Sequence, residues 1–330
     1  MSFKVGIVRT DSIGDVVLTL PMAGALKHHY PNCDITFIGR TYTGPIIKCS
    51  SFIDRFADWT PIEKQGAGEQ LEWMRSLDLD TIIFALPDAN IMSLARRAGI
   101  EKRIATAGRI QSWKYANIRP RFSRKNSDLH EAVLNFNLLA SLGIDKLPSE
   151  FDIPQWYGFQ QVPPTPVNWE KRGELSRIIL HPKSQGSAVE WGMEHFNELI
   201  DLLEPFPVEV VITGTQGEYN LVKDQLHFDR QHVRNSMGQL SLDELIGLVN
   251  TADALIAAST GPLHIAAACR RLAIGLYTPQ RPMHPGRWKP LGINAHFLVA
   301  PQHPAPGEFL AIKANDVLDL LRQNLPTVFK

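Results

Sequence analysis

The chain has 330 residues, of which 44% are hydrophobic and 21% are charged, and its 34 basic residues balance 34 acidic ones. This composition is too apolar for a disordered chain, and the length predicts roughly two domains of about 150 residues each. No apolar run approaches the roughly 18 residues of a membrane-spanning helix, and the first residues lack the pattern of a signal peptide. The three cysteines show no CxxC spacing, and zero net charge argues against general nucleic-acid binding. We therefore expect a cytoplasmic enzyme or binding protein.

Short apolar runs typical of buried strands alternate with helical segments along both halves of the sequence. In the first half, strands are predicted at Lys4–Val8, Asp34–Ile38 and Thr81–Leu86, and one helix over Val16–Tyr30. In the second half, strands are predicted at Arg177–Leu180, Val208–Thr213, Ala254–Ala258 and Ala273–Tyr277, with helices at Glu194–Leu203, Gln216–Leu226, Ser241–Val249 and Pro262–Cys269. A last amphipathic helix is predicted over Ile312–Leu325. Buried strands that alternate with helices indicate parallel sheets covered on both faces.

A proline-rich segment separates the two occurrences of this pattern. Phe151–Asn168 contains four prolines, which disfavour helix and central strand alike, so we expect an irregular linker there. The sequence thus predicts an α/β protein with two Rossmann-like domains whose parallel sheets face each other across a cleft. We assign residues 1–160 to the first domain, 161–310 to the second, and 311–330 to a C-terminal helix that could pack back on the first domain.

Asp15 is the candidate for chemistry in the first half. It follows the first predicted strand, and Gly14 beside it allows a tight strand-to-helix turn. Near a helix start the free N–H groups favour an ionised carboxylate, which can accept a proton from a sugar hydroxyl. On spacing alone, the alternative is that Asp15 only caps the helix. Asp11 is a second carboxylate, better suited to supporting the turn.

In the second half, a helix start directly follows the buried strand that ends at Ala258. Thr260 suits the N-cap position, and Pro262 suits the first helical position. Because a helix start presents unpaired N–H groups and a positive dipole end, this segment predicts a diphosphate site. Its candidate residues are Ser259, Thr260, Gly261, Pro262 and His264. His264 is equally compatible with a structural role.

Two further loops of the second half follow predicted strands. One begins with Lys183 and Ser184, which could contact phosphate oxygens, although the residue order of a P-loop is absent. The other is stiffened by prolines and carries three basic or titratable residues, Arg281, His284 and Arg287. Together with Gly14 of the first half, these residues are candidates for a loop that contacts the donor or the acceptor. Surface decoration is the alternative for this second loop.

A basic segment extends from Arg96 to Lys125 and contains ten basic residues and one acid, Glu101, with three interleaved aromatic residues. One interpretation is a solvated surface. The other is a site for an anionic acceptor or an anionic lipid surface, and its candidate residues are Arg109, Lys114, Arg119 and Arg121. We favour the second interpretation, because the remainder of the chain is net acidic.

Taken in this order, the candidate segments resemble the bacterial heptosyltransferase family, which comprises the lipopolysaccharide-core heptosyltransferases and their relatives (glycosyltransferase family 9). The similarity rests on Ser12–Pro21 and Ser259–His264, with further likeness at His130-Glu131, Leu138–Gly143 and His181-Pro182 followed by Trp191 and Phe196. It spans about residues 3–300. The resemblance implies a GT-B fold and an inverting, metal-independent sugar transfer that needs no cofactor beyond an ADP-sugar co-substrate.

The resemblance also implies partners and roles. The donor is typically an ADP-heptose held by the C-terminal domain, and the acceptor is an anionic, lipid-linked saccharide met by the N-terminal domain. Asp15 matches the family's proposed general base, whereas Thr260, Gly261 and His264 match the loop that contacts the donor diphosphate. With such an acceptor, the basic segment predicts peripheral attachment to the inner face of the cytoplasmic membrane.

Two departures from the family pattern leave alternatives open. Ser259 stands where several members carry Asp, and the basic residue expected near Val189 or Glu190 is missing. Lys183 could substitute for that residue, or the donor could be a different nucleotide sugar. The chain could also bind a nucleotide sugar or an anionic glycan without turning it over. An oxidoreductase or epimerase is disfavoured, because no GxGxxG follows the first strand.

Overall fold

The computed structural model describes residues 3–124 and 127–329, so Lys125 of the basic segment lies outside the described residues. The chain divides into two compact units, Met1–Gln161 and Val162–Lys330. Each unit is built around one parallel sheet. The central strands are buried along nearly their whole length, which explains why they read in the sequence as continuous apolar runs.

The first unit has a five-stranded sheet in the order β3-β2-β1-β4-β5. Its strands are β1 (Lys4–Val8), β2 (Asp34–Gly39), β3 (Arg55–Asp58), β4 (Thr81–Phe84) and β5 (Lys102–Ala105). Its helices are α1 (Ile13–Val17), α2 (Pro21–His29), α3 (Gly44–Cys49), α4 (Trp59–Ile62), α5 (Ala67–Ser76), α6 (Ala89–Arg97), α7 (Ile110–Tyr115) and α8 (Glu131–Asn135). Short 3-10 helices cover Thr41–Thr43, Phe136–Leu142 and Glu150–Trp156.

The second unit has a six-stranded sheet in the order β11-β10-β9-β6-β7-β8. Its strands are β6 (Ser176–His181), β7 (Val208–Ile212), β8 (Val233–Asn235), β9 (Ala254–Ala258), β10 (Leu272–Tyr277) and β11 (Ala295–Val299). Its helices are α9 (Met193–Leu203), α10 (Gln216–Val222), α11 (Leu242–Asn250), α12 (Gly261–Ala268), α13 (Pro285–Trp288) and α14 (Ala314–Asn324), and a 3-10 helix covers Val167–Trp169.

The first strand of each unit lies inside its sheet, with its chain neighbour on one side and the fourth strand of the unit on the other. In the first unit β1 pairs with β2 and β4, and in the second β6 pairs with β7 and β9. Strand order reverses at such a point, and the loops at the carboxyl ends of the two strands diverge to leave a crevice where ligands bind. Loops that follow β1, β4, β6 and β9 are therefore the places to examine for a site.

Three expectations from the sequence are corrected by the structure. The helix predicted over Val16–Tyr30 is two helices, α1 and α2, because Pro21 lacks an N–H and starts a new helix. The linker predicted to be irregular begins as a 3-10 helix, Glu150–Trp156, in which Pro154 is accommodated. Helix α14 packs against α9, and its buried side chains join the core of the second unit, so it is not a separate segment.

A buried charge cluster ties the start of the second unit to its sheet. Glu209 of β7 accepts from Arg177 Nε at 2.7 Å and from Arg234 Nη1 at 3.1 Å, and Arg177 and Glu209 are fully buried. Both arginines also donate to backbone carbonyls of the 3-10 segment, Arg177 to Trp169 at 2.6 Å and Arg234 to Asn168 at 2.6 Å. The guanidinium of Arg234 lies 4.6 Å from the centroid of the Trp169 ring. Charge pairing thus fastens this segment to β6, β7 and β8.

All three cysteines lie in the described part of the chain, and no disulfide joins them. Cys33 and Cys49 belong to the first unit and Cys269 to the second, and each is buried. Within residues 3–124 and 127–329, none of the helices combines the length and the apolar character needed to cross a membrane.

Candidate active site

Asp15 is the third residue of α1, directly beyond the carboxyl end of the central strand β1. Ser12 occupies the N-cap position and Asp15 stands in the first turn, so Asp15 is not the N-cap residue. The Asp15 carboxylate instead accepts from the Ser12 hydroxyl at 2.5 Å and pairs with the Arg9 guanidinium. Gly14 lies within α1 and adopts no left-handed conformation, so the turn does not require the freedom of glycine. The Asp15 side chain remains 18% exposed, which leaves it accessible to a substrate hydroxyl.

Arg9, at the end of β1, organises this site and was not among the residues singled out from the sequence. It is 4% exposed, and its fork binds Asp11 through two hydrogen bonds of 2.6 and 2.9 Å. Burial raises the pKa of the Asp11 carboxyl; the Arg9 guanidinium opposes this rise, and the Asp15 carboxylate adds to it. Asp11 thus supports the turn, as its position in the sequence suggested. The sequence did contain a signal for Arg9: it is a charged residue at the end of a buried strand, and two acids, Asp11 and Asp15, follow it.

A second layer of charge lies behind Arg9 and comes from distant parts of the chain. Glu131, the first residue of α8, is buried and lies 3.5 Å from Arg9 Nη1. Glu131 also pairs with Arg124, which donates to the Asn135 side chain at 2.9 Å and to the Ala85 carbonyl, just after β4, at 3.1 Å. The likeness at His130-Glu131 points to this helix, but no local spacing in the sequence predicts the contact with Arg9.

The second unit carries the predicted diphosphate segment at the start of α12, directly after β9. Thr260 is the N-cap residue, but its side chain makes no capping hydrogen bond. The residue is only 6% exposed, and its Oγ1 is buried without a hydrogen-bond partner among residues 3–124 and 127–329. Gly261 and Pro262 are the first two helical residues, so Pro262 stands one position later than expected. A buried hydroxyl without a partner beside a helix start provides a donor for an anion.

Two other members of this segment are placed less favourably for a ligand. His264 is the fourth residue of α12 and only 3% exposed, a degree of burial that suits the structural alternative. The carbonyl of Ser259 accepts a hydrogen bond from the Ser187 hydroxyl at 3.1 Å. This bond joins the loop after β6 to the loop after β9, so both border the same crevice of the second sheet.

The loop after β6 is held by an acidic residue. Lys183 Nζ lies 2.6 Å from Glu190 Oε2, and Glu190 Oε1 accepts from the Ser184 backbone N–H at 3.1 Å. Ser184 Oγ also donates to the Ala188 carbonyl at 2.9 Å. We expected Lys183 and Ser184 in a polar loop open to phosphate oxygens, but the structure places both on the Glu190 carboxylate. The expected basic residue near Val189 is thus absent, and the acid that stands beside this position, Glu190, is already paired with Lys183.

The loop after β10 brings its three predicted residues together. His284 is the N-cap residue of α13, and burial together with the charges of Arg281 and Arg287 lowers the pKa of its imidazole. The loop is braced by Trp288, whose indole N–H donates to the Pro282 carbonyl at 2.9 Å. A cavity of about 360 Å³ in the same unit is lined by Val189, Glu190, Met283 and residues 303–309. The loop therefore forms a positively charged neighbour of the Glu190 loop.

The basic segment of the first unit forms a surface around α7. Arg109, Lys114 and Arg121 are exposed, and the guanidinium of Arg119 lies 4.7 Å from the centroid of the Trp113 ring. Two apolar side chains stand among these charges, Ile110 at 88% exposure and Trp113 at 57%. An exposed apolar pair within a basic surface was not predicted from the sequence, since the helix itself was not predicted. We call this surface, made of Arg109, Ile110, Trp113, Lys114, Arg119 and Arg121, the α7 patch.

No group of three or more metal-ligating side chains that could hold an ion is found among residues 3–124 and 127–329. The candidate site residues described above form two sets, one in each unit. The first is the Arg9–Asp11–Asp15–Glu131 cluster of the first unit. The second is the α12 start with the Glu190 loop in the second unit. The first set offers a carboxylate that can take up a proton, and the second offers hydrogen-bond donors that suit an anion.

Comparison with known proteins identifies the family. Residues 97–309 match the family model of glycosyltransferase family 9 (heptosyltransferase). A protein of Haemophilus influenzae named as a candidate glycosyltransferase is 27% identical over 314 residues, covering 90% of this chain and 89% of that protein. The lipopolysaccharide core heptosyltransferase OpsX of the same organism is 21% identical over 297 residues, covering 84% and 79%.

A solved structure gives the fold. The structure of the Escherichia coli ADP-heptose lps heptosyltransferase II aligns with a TM-score of 0.75 at 19% identity, covering 98% of this chain and 99% of the other. Both parallel sheets of this chain thus have their counterparts in a GT-B protein. With the family model matching well over half of its length, the chain belongs to glycosyltransferase family 9 and is a heptosyltransferase-type glycosyltransferase of GT-B fold.

Proposed function

We propose that this chain transfers a heptose from ADP-heptose to a lipopolysaccharide-core or related lipid-linked saccharide, in the cytoplasm, with inversion and without a metal ion. The observation that carries the proposal is an accessible carboxylate, Asp15, held by Arg9 and Ser12 at the switch point of the first sheet. The names of the relatives support the choice of substrates, because they include a lipopolysaccharide core heptosyltransferase and an ADP-heptose enzyme.

In this mechanism Asp15 is the general base. The acceptor hydroxyl attacks the anomeric carbon of the donor and gives its proton to the Asp15 carboxylate. The bond from that carbon to the diphosphate oxygen breaks, and its electron pair leaves with ADP. Ser12 and Arg9 fix the orientation of the carboxylate, so little rearrangement is needed when the proton moves.

The start of α12 stabilises the departing ADP. Its free backbone N–H groups and the dipole of the helix favour the negative charge that develops on the diphosphate, and the buried Thr260 hydroxyl adds a donor. Lys183 contributes if its flexible side chain turns its ammonium from Glu190 towards the diphosphate. These groups supply the electrostatic stabilisation that a divalent ion provides in metal-dependent transferases, and we expect full activity in the presence of EDTA.

Substitution of Asp15 tests the mechanism. Asp15→Asn keeps the shape of the side chain and removes the proton acceptor, so transfer should fall by roughly 10²–10⁴-fold. ADP release during transfer gives the rate, and calorimetry should give an unchanged ADP affinity. Asp78→Asn is the matched control, because it also neutralises a paired acid of the first unit, and its partner Lys4 lies at the opposite end of β1 from Arg9. Normal turnover by Asp15→Asn would show that another group takes the proton.

A second function has an observation in its favour. The Glu190 carboxylate lies where a basic side chain was expected and already engages Lys183, which disfavours a second anion there. The chain could therefore use a different nucleotide sugar, or bind one without turning it over. A thermal-shift panel of nucleotide sugars, followed by a transfer assay with each stabilising donor, separates the cases. ADP-heptose that stabilises the protein and is consumed supports transfer, whereas stabilisation without consumption supports the binding function.

We infer that the α7 patch binds the membrane in which the acceptor lies. We assign it to the anionic surface of the membrane that carries the lipid-linked saccharide, since basic side chains attract anionic headgroups and exposed Ile110 and Trp113 can enter the interface. Vesicles with anionic lipid should co-sediment the protein, neutral vesicles should not, and binding should weaken as salt rises from about 0.1 M to about 1 M.

Two variants locate this surface. Ile110→Ser should weaken vesicle binding, whereas Val167→Ser should not, because Val167 is similarly exposed, at 81%, but belongs to the second unit and lies outside the basic segment. Equal binding by both variants and the unaltered protein would remove the α7 patch from the proposal.

A further inference from the structure

In the described part of the chain, the charge cluster around Asp15 joins the carboxylates of Asp11, Asp15 and Glu131 to the guanidiniums of two arginines, Arg9 and Arg124. Arg9 contacts both Asp11 and Asp15 directly and lies 3.5 Å from Glu131. Glu131 in turn pairs with Arg124. The carboxylates of the cluster therefore compete for shared cations, and the charge on any one of them alters how strongly the others are held.

Burial makes this competition strong. Arg9 is 4% exposed and the Glu131 side chain 2%, so water screens their interaction weakly. Although burial disfavours the charge on Arg9, the neighbouring Asp15, Asp11 and Glu131 outweigh it and raise the pKa of the guanidinium. Arg9 is thus a permanent cation whose positive charge is divided among three acids.

Two other titratable groups border the cluster from the 3-10 segment after β2. The Tyr42 hydroxyl donates to the Asp11 carbonyl, and burial together with the Asp11 carboxylate raises the pKa of that phenol. Arg40 donates from Nε to the Thr10 carbonyl at 3.1 Å, while its other nitrogens pair with Glu63. Tyr42 is therefore neutral near pH 7 and does not compete for Arg9. Glu63 balances the charge of Arg40, so Arg40 does not draw the carboxylates of the cluster away from Arg9.

We propose that Glu131 is a positioning residue that acts through Arg9 to keep Asp15 basic enough to accept the proton of the acceptor hydroxyl. If Arg9 were paired with Asp15 alone, its full positive charge would stabilise the Asp15 carboxylate and make it a weak base. Glu131 and Asp11 take part of that positive charge, and Arg124 determines how much of Glu131 is available to Arg9. This inference rests on the proposed role of Asp15, and it assigns to α8 a function beyond packing.

Two substitutions should move the pH profile in opposite directions. Glu131→Gln removes the competing charge, so Arg9 attracts Asp15 more strongly; the acid limb of kcat/KM should move down by on the order of one pH unit. The plateau should fall roughly three- to tenfold, because a weaker base removes the proton less effectively. Arg124→Gln releases Glu131 to Arg9, so the acid limb should move up. A residue that only supports the fold would lower the plateau and leave the limb in place.

The measurement is the pH dependence of kcat/KM for transfer from ADP-heptose. Asp78→Asn is the control that should leave the limb unchanged, because Asp78 is exposed and pairs with Lys4, at the other end of β1 from Arg9. If Glu131→Gln does not fold, Arg124→Gln decides alone, since the Arg124 side chain is more exposed, at 23%. A limb that stays in place or moves down in Arg124→Gln overturns the inference. Asp15→Asn separates the two proposals: activity retained there rejects Asp15 as the base, whereas an inactive Asp15→Asn with unmoved limbs in the other variants rejects only the role of Glu131.

Discussion

Removal of the charge on Glu209 should destabilise the second unit more than any surface substitution. Glu209 is fully buried, and its two oxygens satisfy Arg177 at 2.7 Å and Arg234 at 3.1 Å. Glu209→Gln keeps the shape of the side chain but leaves the buried Arg177 guanidinium without its counter-ion. Breaking one partner of a buried pair costs about 3–5 kcal/mol, because the remaining charge stays desolvated.

Urea denaturation followed by tryptophan fluorescence checks this value. Trp169 packs against Arg234, so it reports on the cluster itself. With an m-value of about 2 kcal/mol/M, the midpoint of the second unit should fall by on the order of 2 M. The control is Asp319→Asn, which breaks the exposed Arg322–Asp319 pair of 3.5 Å and should cost less than about 1 kcal/mol. If the two variants unfolded at the same urea concentration, the reasoning from buried charge would be refuted.

Three smaller perturbations test the packing and the pH response. Gly24→Ala places a methyl group 2.6 Å from the Trp156 carbonyl oxygen, and we expect a loss of about 1–3 kcal/mol in thermal unfolding; an unchanged midpoint would mean that the 3-10 helix yields freely. Gly247→Ala directs its methyl group to 2.3 Å from the Pro164 carbonyl oxygen and should destabilise the second unit similarly, by the same measurement. Burial lowers the pKa of His181, so the unfolded chain takes up a proton first and stability is lost as the pH falls below about 6.5. His181→Asn should flatten that loss between about pH 6.5 and pH 5 in urea titrations, and an unaltered slope would contradict it.

The strands that could be predicted are those whose burial makes them apolar throughout. Strands β1 and β9 have the predicted bounds, and the other predicted strands agree within two residues at each end. Strands β3, β5, β8 and β11 were missed, because they are partly exposed and carry charged or polar residues. Strand β5, for example, begins with Lys102 and Arg103 and was read only as part of the basic segment.

The candidate site was predictable where the chain direction alone determines position. Asp15 and Thr260 each follow a central parallel strand, and a strand's carboxyl end can be identified from the sequence. Contacts between distant segments were not predictable. Glu131 reaches Arg9 from 122 residues along the chain, and the apolar side chains of the α7 patch are recognisable as exposed only once the helix is known.

All three thiols are buried, so their chemical modification reports local unfolding of the chain. A small thiol reagent can modify Cys33 or Cys49 only when the first unit opens, and Cys269 only when the second does. Mass spectrometry of a timed labelling reaction would therefore follow the two units separately in one sample, without an introduced probe. Weakening the Glu209 cluster should hasten the modification of Cys269 alone.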